Sequence, residues 1–263
     1  MKRLMLMKGS GLALLFCLFV CPGLQAQVKW WNPANHKFPV VEGQLWPDEV
    51  ENAYDRLPLR AKDQVREPVW NLSKHAAGLL IRFRSNASEI QVRYQVSGNR
   101  AMPHMPATGV SGVDLYAIDS DGTWKWTRGR WNFGDTITYR FAGLQPNDQY
   151  HEHGREYRLY LPLYNQVQWL EVGVDEAAEF TPLPVRLENP IVIYGTSIAQ
   201  GACASRPGMA WTSILGRKLD RPVINLAFSG NGRLEEEVTD LLTEAQPKIF
   251  ILDCLPNLVN PKI

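Results

Sequence analysis

The sequence predicts a multi-domain chain: an N-terminal all-β sandwich followed by an incomplete α/β part built on a parallel sheet. Three observations carry this expectation. Apolar and polar residues alternate with a period of two through most of residues 78–174, the mark of strands with one solvated face. Near residues 182–190, a proline-rich connector, the pattern changes to unbroken apolar runs alternating with helical stretches. The chain then ends ten residues after the third such run, at Asp253.

The elements justify this in order. Residues 1–26 read as an export signal. Lys2, Arg3 and Lys8 make a basic start, and residues 11–20 an uncharged apolar run. That run is shorter than the ~20 residues a spanning helix needs. Small residues follow, with Ala26 before Gln27 as the expected cleavage point. Cys17 and Cys21 leave a lipoprotein signal open, although Phe16 and Val20 before them are bulkier than such a site prefers. A secreted or periplasmic protein with no stable membrane span is expected. The whole chain of 263 residues carries 28 Lys plus Arg and 27 Asp plus Glu, a net charge of +1. Removing the signal brings this to −2. Neither value points to nucleic acid as a partner. A hydrophobic content of 45% is ordinary for a globular protein and excludes a disordered one.

The sandwich is assigned to residues 27–185. Residues 80–84, 89–96, 156–161 and 169–174 alternate as half-buried strands, and turn residues at 85–86, 97–99, 119–122 and 145–148 separate them. Trp124, Trp126 and Trp131 cluster in this part, either as core or as a platform for stacking on sugar, with core expected for at least half. The alternate residues His151 and His153 share one face of an extended segment. Two ligands are too few for a structural zinc site, so no metal is expected. No cofactor is expected either, and a nucleotide is disfavoured because no Gly-rich phosphate loop follows the first apolar strand.

The α/β part is assigned to residues 186–263. Strands at 190–195, 223–227 and 248–253 alternate with helices around 209–219 and 233–245. Function in such sheets gathers at the carboxyl ends of the strands. Three segments sit there: Gly195-Thr196-Ser197, the loop 228–232 with Gly230, and the loop with Asn257. A serine in a tight turn at the top of the sheet can present its hydroxyl to a carbonyl carbon. A glycine N–H and an asparagine amide can meet the oxyanion that results. Singly these residues read as a helix cap and turn residues. Their order at three successive strand ends favours an acyl-transfer site. Cys203 and Cys254 are allowed to pair in an oxidising compartment, or to remain buried thiols.

These segments resemble the SGNH (GDSL-like) serine hydrolases. Gly195-Thr196-Ser197 matches the family's Gly-Asp-Ser-type turn, with Thr196 in place of Asp; Gly230 matches the second block; Asn257 matches the third, in a Pro-Asn setting. Gly112, Asp114, Leu115 and Tyr116 resemble the Gly-x-Asp-Leu-Tyr domain that precedes some of these hydrolases, and residues 201–208 resemble the same two-domain subgroup. The resemblance implies a jelly-roll-like sandwich ahead of a flavodoxin-like sheet. It implies Ser197 as nucleophile, with the Ser197 and Gly230 N–H groups and the Asn257 side chain as oxyanion donors. It also implies an acyl-enzyme esterase acting on carboxylic, by analogy acetyl, esters of a small molecule or glycan. The family's Asp-x-x-His block has no counterpart here. His36, His75, His104, His151 and His153 all precede Ser197, and a serine without a base is a weak nucleophile. The chain is therefore expected to be part of a longer hydrolase, and by itself to turn over activated esters weakly or not at all. The alternative is a truncated or catalytically inactive carbohydrate-binding module.

Overall fold

A computed structural model of the chain describes residues 27–145 and 147–258. The export signal, Cys17 and Cys21 lie outside the described residues. Among the described residues, no helix is long and apolar enough to cross a membrane.

The elements run β1 (Val28–Trp31), β2 (Val41–Glu42), α1 (Glu67–Ser73), β3 (Leu80–Ser85), β4 (Glu89–Val96), α2 (Ala107–Val110), β5 (Asp114–Ile118), β6 (Trp124–Thr127) and β7 (Arg130–Phe133). They continue β8 (Ile137–Ala142), β9 (Arg155–Tyr160), β10 (Val167–Asp175), β11 (Phe180–Pro182), β12 (Ile191–Gly195), α3 (Ser197–Gln200), α4 (Trp211–Lys218), β13 (Val223–Ala227), α5 (Glu236–Leu242), β14 (Ile249–Asp253) and α6 (Leu255–Leu258).

The first eleven strands form two antiparallel sheets. One has the order β1-β10-β4-β8-β7; the other has β11-β3-β9-β5-β6, with β2 beside β3. Their facing sides share one core. Ile90, Val92, Tyr94, Tyr139, Phe141, Leu170 and Val172 come from the first sheet, and Ile81, Phe83, Leu115, Tyr157 and Leu159 from the second. In β4 the buried residues are every second one, with Gln91 and Arg93 between them half-buried. This is the pleat that the alternation encodes. The span 27–185 is not all-β, however. It carries α1 and α2 and a long irregular stretch before β3.

The third sheet is parallel, in the order β13-β12-β14. β12 lies in the middle and every one of its residues is buried, which explains its continuous apolar run. Ile191 and Ile193 face Trp211 and Leu215 of α4. Val192 and Tyr194 face the other way, onto Val238, Leu241 and Leu242 of α5. The same layer is completed from far upstream by Trp46, Leu57, Ala61, Val65, Val69 and Trp70. One wall of the α/β part is therefore built by residues 46–70, not by the chain that follows β12. β14 is the open edge of the sheet, with Ile249, Phe250 and Leu252 exposed.

Arg56 fastens this wall. It is fully buried, and its guanidinium donates to the carbonyls of Leu72 (2.7 Å), His75 (2.7 Å), Asn225 (2.9 Å) and Ala227 (2.8 Å). It also sits 5.0 Å from the Phe228 ring centroid. A buried cation is tolerable only when its donors are satisfied, and here it ties the N-terminal segment to the end of β13.

Candidate active site

The turn after β12 is held from three sides. Thr196 caps α3, its hydroxyl accepting from Ile198 N at 3.4 Å. The Thr196 N–H donates to the Asp253 carbonyl at 3.1 Å, and the Gly195 carbonyl accepts from Phe228 N at 2.9 Å. Ser197 thus stands at the first position of α3, half-buried, with its carbonyl engaged by Ala202 N (2.8 Å) and Tyr164 Oη (3.3 Å). Thr196 replaces the family's Asp yet performs the capping that this position requires.

The loop 228–232 lies directly against this turn. A Cβ on Gly232 would come within 2.0 Å of the Gly195 carbonyl oxygen, so only glycine allows the approach. Gly230 has φ +71, with open space where a side chain would project. Asn257, in α6, donates through Nδ2 to the Gly232 carbonyl at 3.3 Å. The fold therefore brings Ser197, the Gly230 loop and Asn257 to one end of the parallel sheet. Among the described residues, neither Ser197 N nor Gly230 N donates to another group. One of the two Asn257 amide hydrogens is likewise unspent.

The loop 228–232 has a second support that sequence reasoning missed. Gln200, fully buried at the end of α3, accepts from Ser229 N at 2.8 Å and donates to the Leu163 carbonyl at 3.1 Å. Its amide nitrogen lies 3.2 Å from His75 Nδ1. Burial and the neighbouring Arg56 guanidinium push the His75 pKa down to about 4, so it is neutral near pH 7. His75 is thus bonded to the helix that carries Ser197 rather than to Ser197. His104 is exposed in the Met102–Met105 turn, and His151 Nδ1 lies 2.9 Å from Asp148. His153 is exposed. Cys203 and Cys254 are free thiols, one exposed and the other buried.

The Gly-x-Asp-Leu-Tyr segment joins the antiparallel sheets to this site. A Cβ on Gly112 would meet the Thr108 carbonyl at 2.4 Å and Tyr139 Oη at 2.5 Å. The Asp114 carboxylate, almost fully buried, accepts from Trp126 Nε1 (2.7 Å) and Gly208 N (3.0 Å) and pairs with Arg206 (3.1 Å). Leu115 enters the core between the sheets. The Tyr116 ring carries the Arg217 guanidinium 3.9 Å from its centroid. Each signature residue except Leu115 thus meets the loop after α3 or braces the backbone beside it. Desolvation dominates at Asp114 and lifts its pKa to about 6 despite Arg206 and the two donors.

Residues 28–180 match the family model GxDLY, described as the N-terminus of Esterase_SGNH_hydro-type. The chain belongs to this SGNH-type esterase family. Residues 188–263 of this SGNH family member match a second model, the GDSL-like Lipase/Acylhydrolase family. Among solved structures it is similar to a protein of Bacteroides ovatus described as a GDSL-like lipase. The identity is 31% and the TM-score 0.78, over 88% of this chain and 65% of that one. The chain thus spans about two thirds of that relative's length. It also resembles in fold the salicylyl-acyltransferase SsfX3 from a tetracycline biosynthetic pathway. There the identity is 18% and the TM-score 0.63, over 88% and 62% of the two chains. No curated protein matches it.

Proposed function

We propose that this SGNH family member carries the nucleophilic half of a serine esterase. The observation that supports it is the pair of unspent backbone N–H groups, Ser197 and Gly230, at a turn and loop locked against each other. In this reading Ser197 Oγ attacks the ester carbonyl carbon and forms a tetrahedral intermediate. The two N–H groups and Asn257 Nδ2 receive the negative oxygen, donors fixed before the charge develops. Collapse expels the alcohol, which takes up a proton, and leaves an acyl-serine. Water then releases the carboxylic acid and restores the serine. The resemblance to SGNH hydrolases assigns the base that takes the Ser197 proton to an Asp-x-x-His block. The reading includes export through residues 1–26, a jelly-roll-like arrangement of the two antiparallel sheets, and acetyl esters of carbohydrate as the substrate class.

Fluorophosphonate labelling tests the nucleophile. The expected result, in protein that carries such a block, is one label per chain at Ser197, abolished in Ser197→Ala. A folded protein in which Ser197 stays unlabelled, or in which the Ala variant labels equally, overturns the assignment.

A further inference from the structure

The molecule holds a cleft that the esterase chemistry does not use. Its volume is about 200 Å³, and it opens between the outer strands β6 and β7 of the two antiparallel sheets. Trp126 and Trp131 form its walls, and Val113, Tyr139 and Phe141 its floor. Thr108, Thr127, Ser205, Arg206 and the edge of Asp114 supply polar groups.

One feature separates this cleft from ordinary core. The indoles are held in place yet remain open: Trp126 is 44% and Trp131 51% exposed. Trp126 is oriented by its bond to Asp114 and by Arg206, whose guanidinium lies 4.3 Å from the ring centroid. Trp131 leans on Tyr139 at 5.8 Å between centroids. Trp124, by contrast, packs against Leu80, Tyr116 and Tyr160 beneath Arg158. Large apolar rings left exposed side by side are uncommon without a ligand to cover them. The Tyr139 ring lines the cavity, while its buried Oη faces the Gly112–Val113 backbone.

We infer that this cleft binds one pyranose ring of a glycan. The match is chemical. A pyranose offers an apolar C–H face to an electron-rich indole face and a rim of hydroxyls to Thr108, Thr127, Ser205 and Arg206. The volume suits one ring and not a chain of rings, so neighbouring sugars extend along the surface. Ser205 and Arg206 belong to the loop that follows the helix of Ser197, so both parts of the molecule share the bound sugar. The inference deepens the carbohydrate reading of the esterase but does not need Ser197 to be reactive.

The test is calorimetry and tryptophan fluorescence with the Ser197→Ala protein against β-1,4-linked hexaoses of xylose, glucose, mannose and N-acetylglucosamine. Binding of at least one at millimolar or lower concentration is expected, with quenching of emission. Trp131→Ala and Trp126→Phe should weaken it about tenfold or more. Trp169→Phe, on β10 and outside the cleft, should leave it unchanged. Near-UV circular dichroism checks that each variant is folded, and Trp131→Phe serves if Trp131→Ala is not. Absence of binding to all four sugars overturns the inference, as does binding that survives both cleft variants. Labelling of Ser197 reports separately on the esterase, so either can fail alone.

Discussion

Two titratable residues, buried Asp114 and half-buried His75, respond to acid in opposite directions. The Asp114 carboxyl is raised from 3.8 to about 6, so the folded chain holds its proton more tightly than the unfolded one. The stability it contributes is complete below about pH 4 and is lost as pH rises through 6. The stability of the native protein relative to Asp114→Asn should therefore fall over that interval, as measured by urea denaturation at several pH values. His75 is lowered from 6.5 to about 4. Its contribution is present above pH 6.5 and is lost as pH falls toward 4. Stability relative to His75→Gln should therefore fall on acidification, and a slope of the same sign for both variants would contradict this. Gly232 is the tightest position: Gly232→Ala should cost about 1–3 kcal/mol by overpacking, read as a lower melting temperature. It should also abolish Ser197 labelling, because the Gly195 carbonyl has to move.

Among the elements, the segment that ends in α1 bears the largest hidden load. Replacing Arg56 by Met leaves four carbonyls of two distant elements without their donor. A loss of more than about 3 kcal/mol is expected from unsatisfied buried groups, measured by chemical denaturation. A change below 1 kcal/mol would show that the carbonyls find other partners. The strands were legible because a half-buried strand must alternate, and β4 and β13 fall where the pattern places them. The wall of Trp46, Leu57, Ala61, Val65 and Trp70 was not. Its spacing follows neither period, and the surface that makes it necessary lies more than a hundred residues downstream. The same holds at the site. The positions of Ser197, Gly230 and Asn257 after three successive strands could be read, because each follows an apolar run. Gln200 and His75 could not, since their roles come from what they touch. The Trp cluster divides the same way: Trp124 is packed as expected, but Trp126 and Trp131 stand open, contrary to the expectation of mostly core.

Across the whole molecule, the parts are joined by cations. Arg66 pairs with Glu235, Arg60 with Glu244, Arg158 with Asp220, and Arg217 lies over Tyr116 and Tyr160. Each contact links the stretch before β12 to the stretch after it. Thermal unfolding followed by far-UV circular dichroism and by tryptophan emission should therefore give one coincident transition. Two separated transitions would show that the contacts do not couple the parts. Residues 186–263 expressed alone should fail to give a dispersed NMR spectrum, because the Val192–Tyr194 face loses its cover.

That cover also bears on ancestry and engineering. The connector near residue 185 divides the chain but not the packing, so a recombination there would carry the nucleophile away from the wall it leans on. Exchange of hydrolase segments between relatives should succeed only when residues 46–74 travel with them, together with an aspartate able to receive the incoming Arg206–Gly208 loop. The Gly-x-Asp-Leu-Tyr signature then works as a compatibility tag between two inherited pieces.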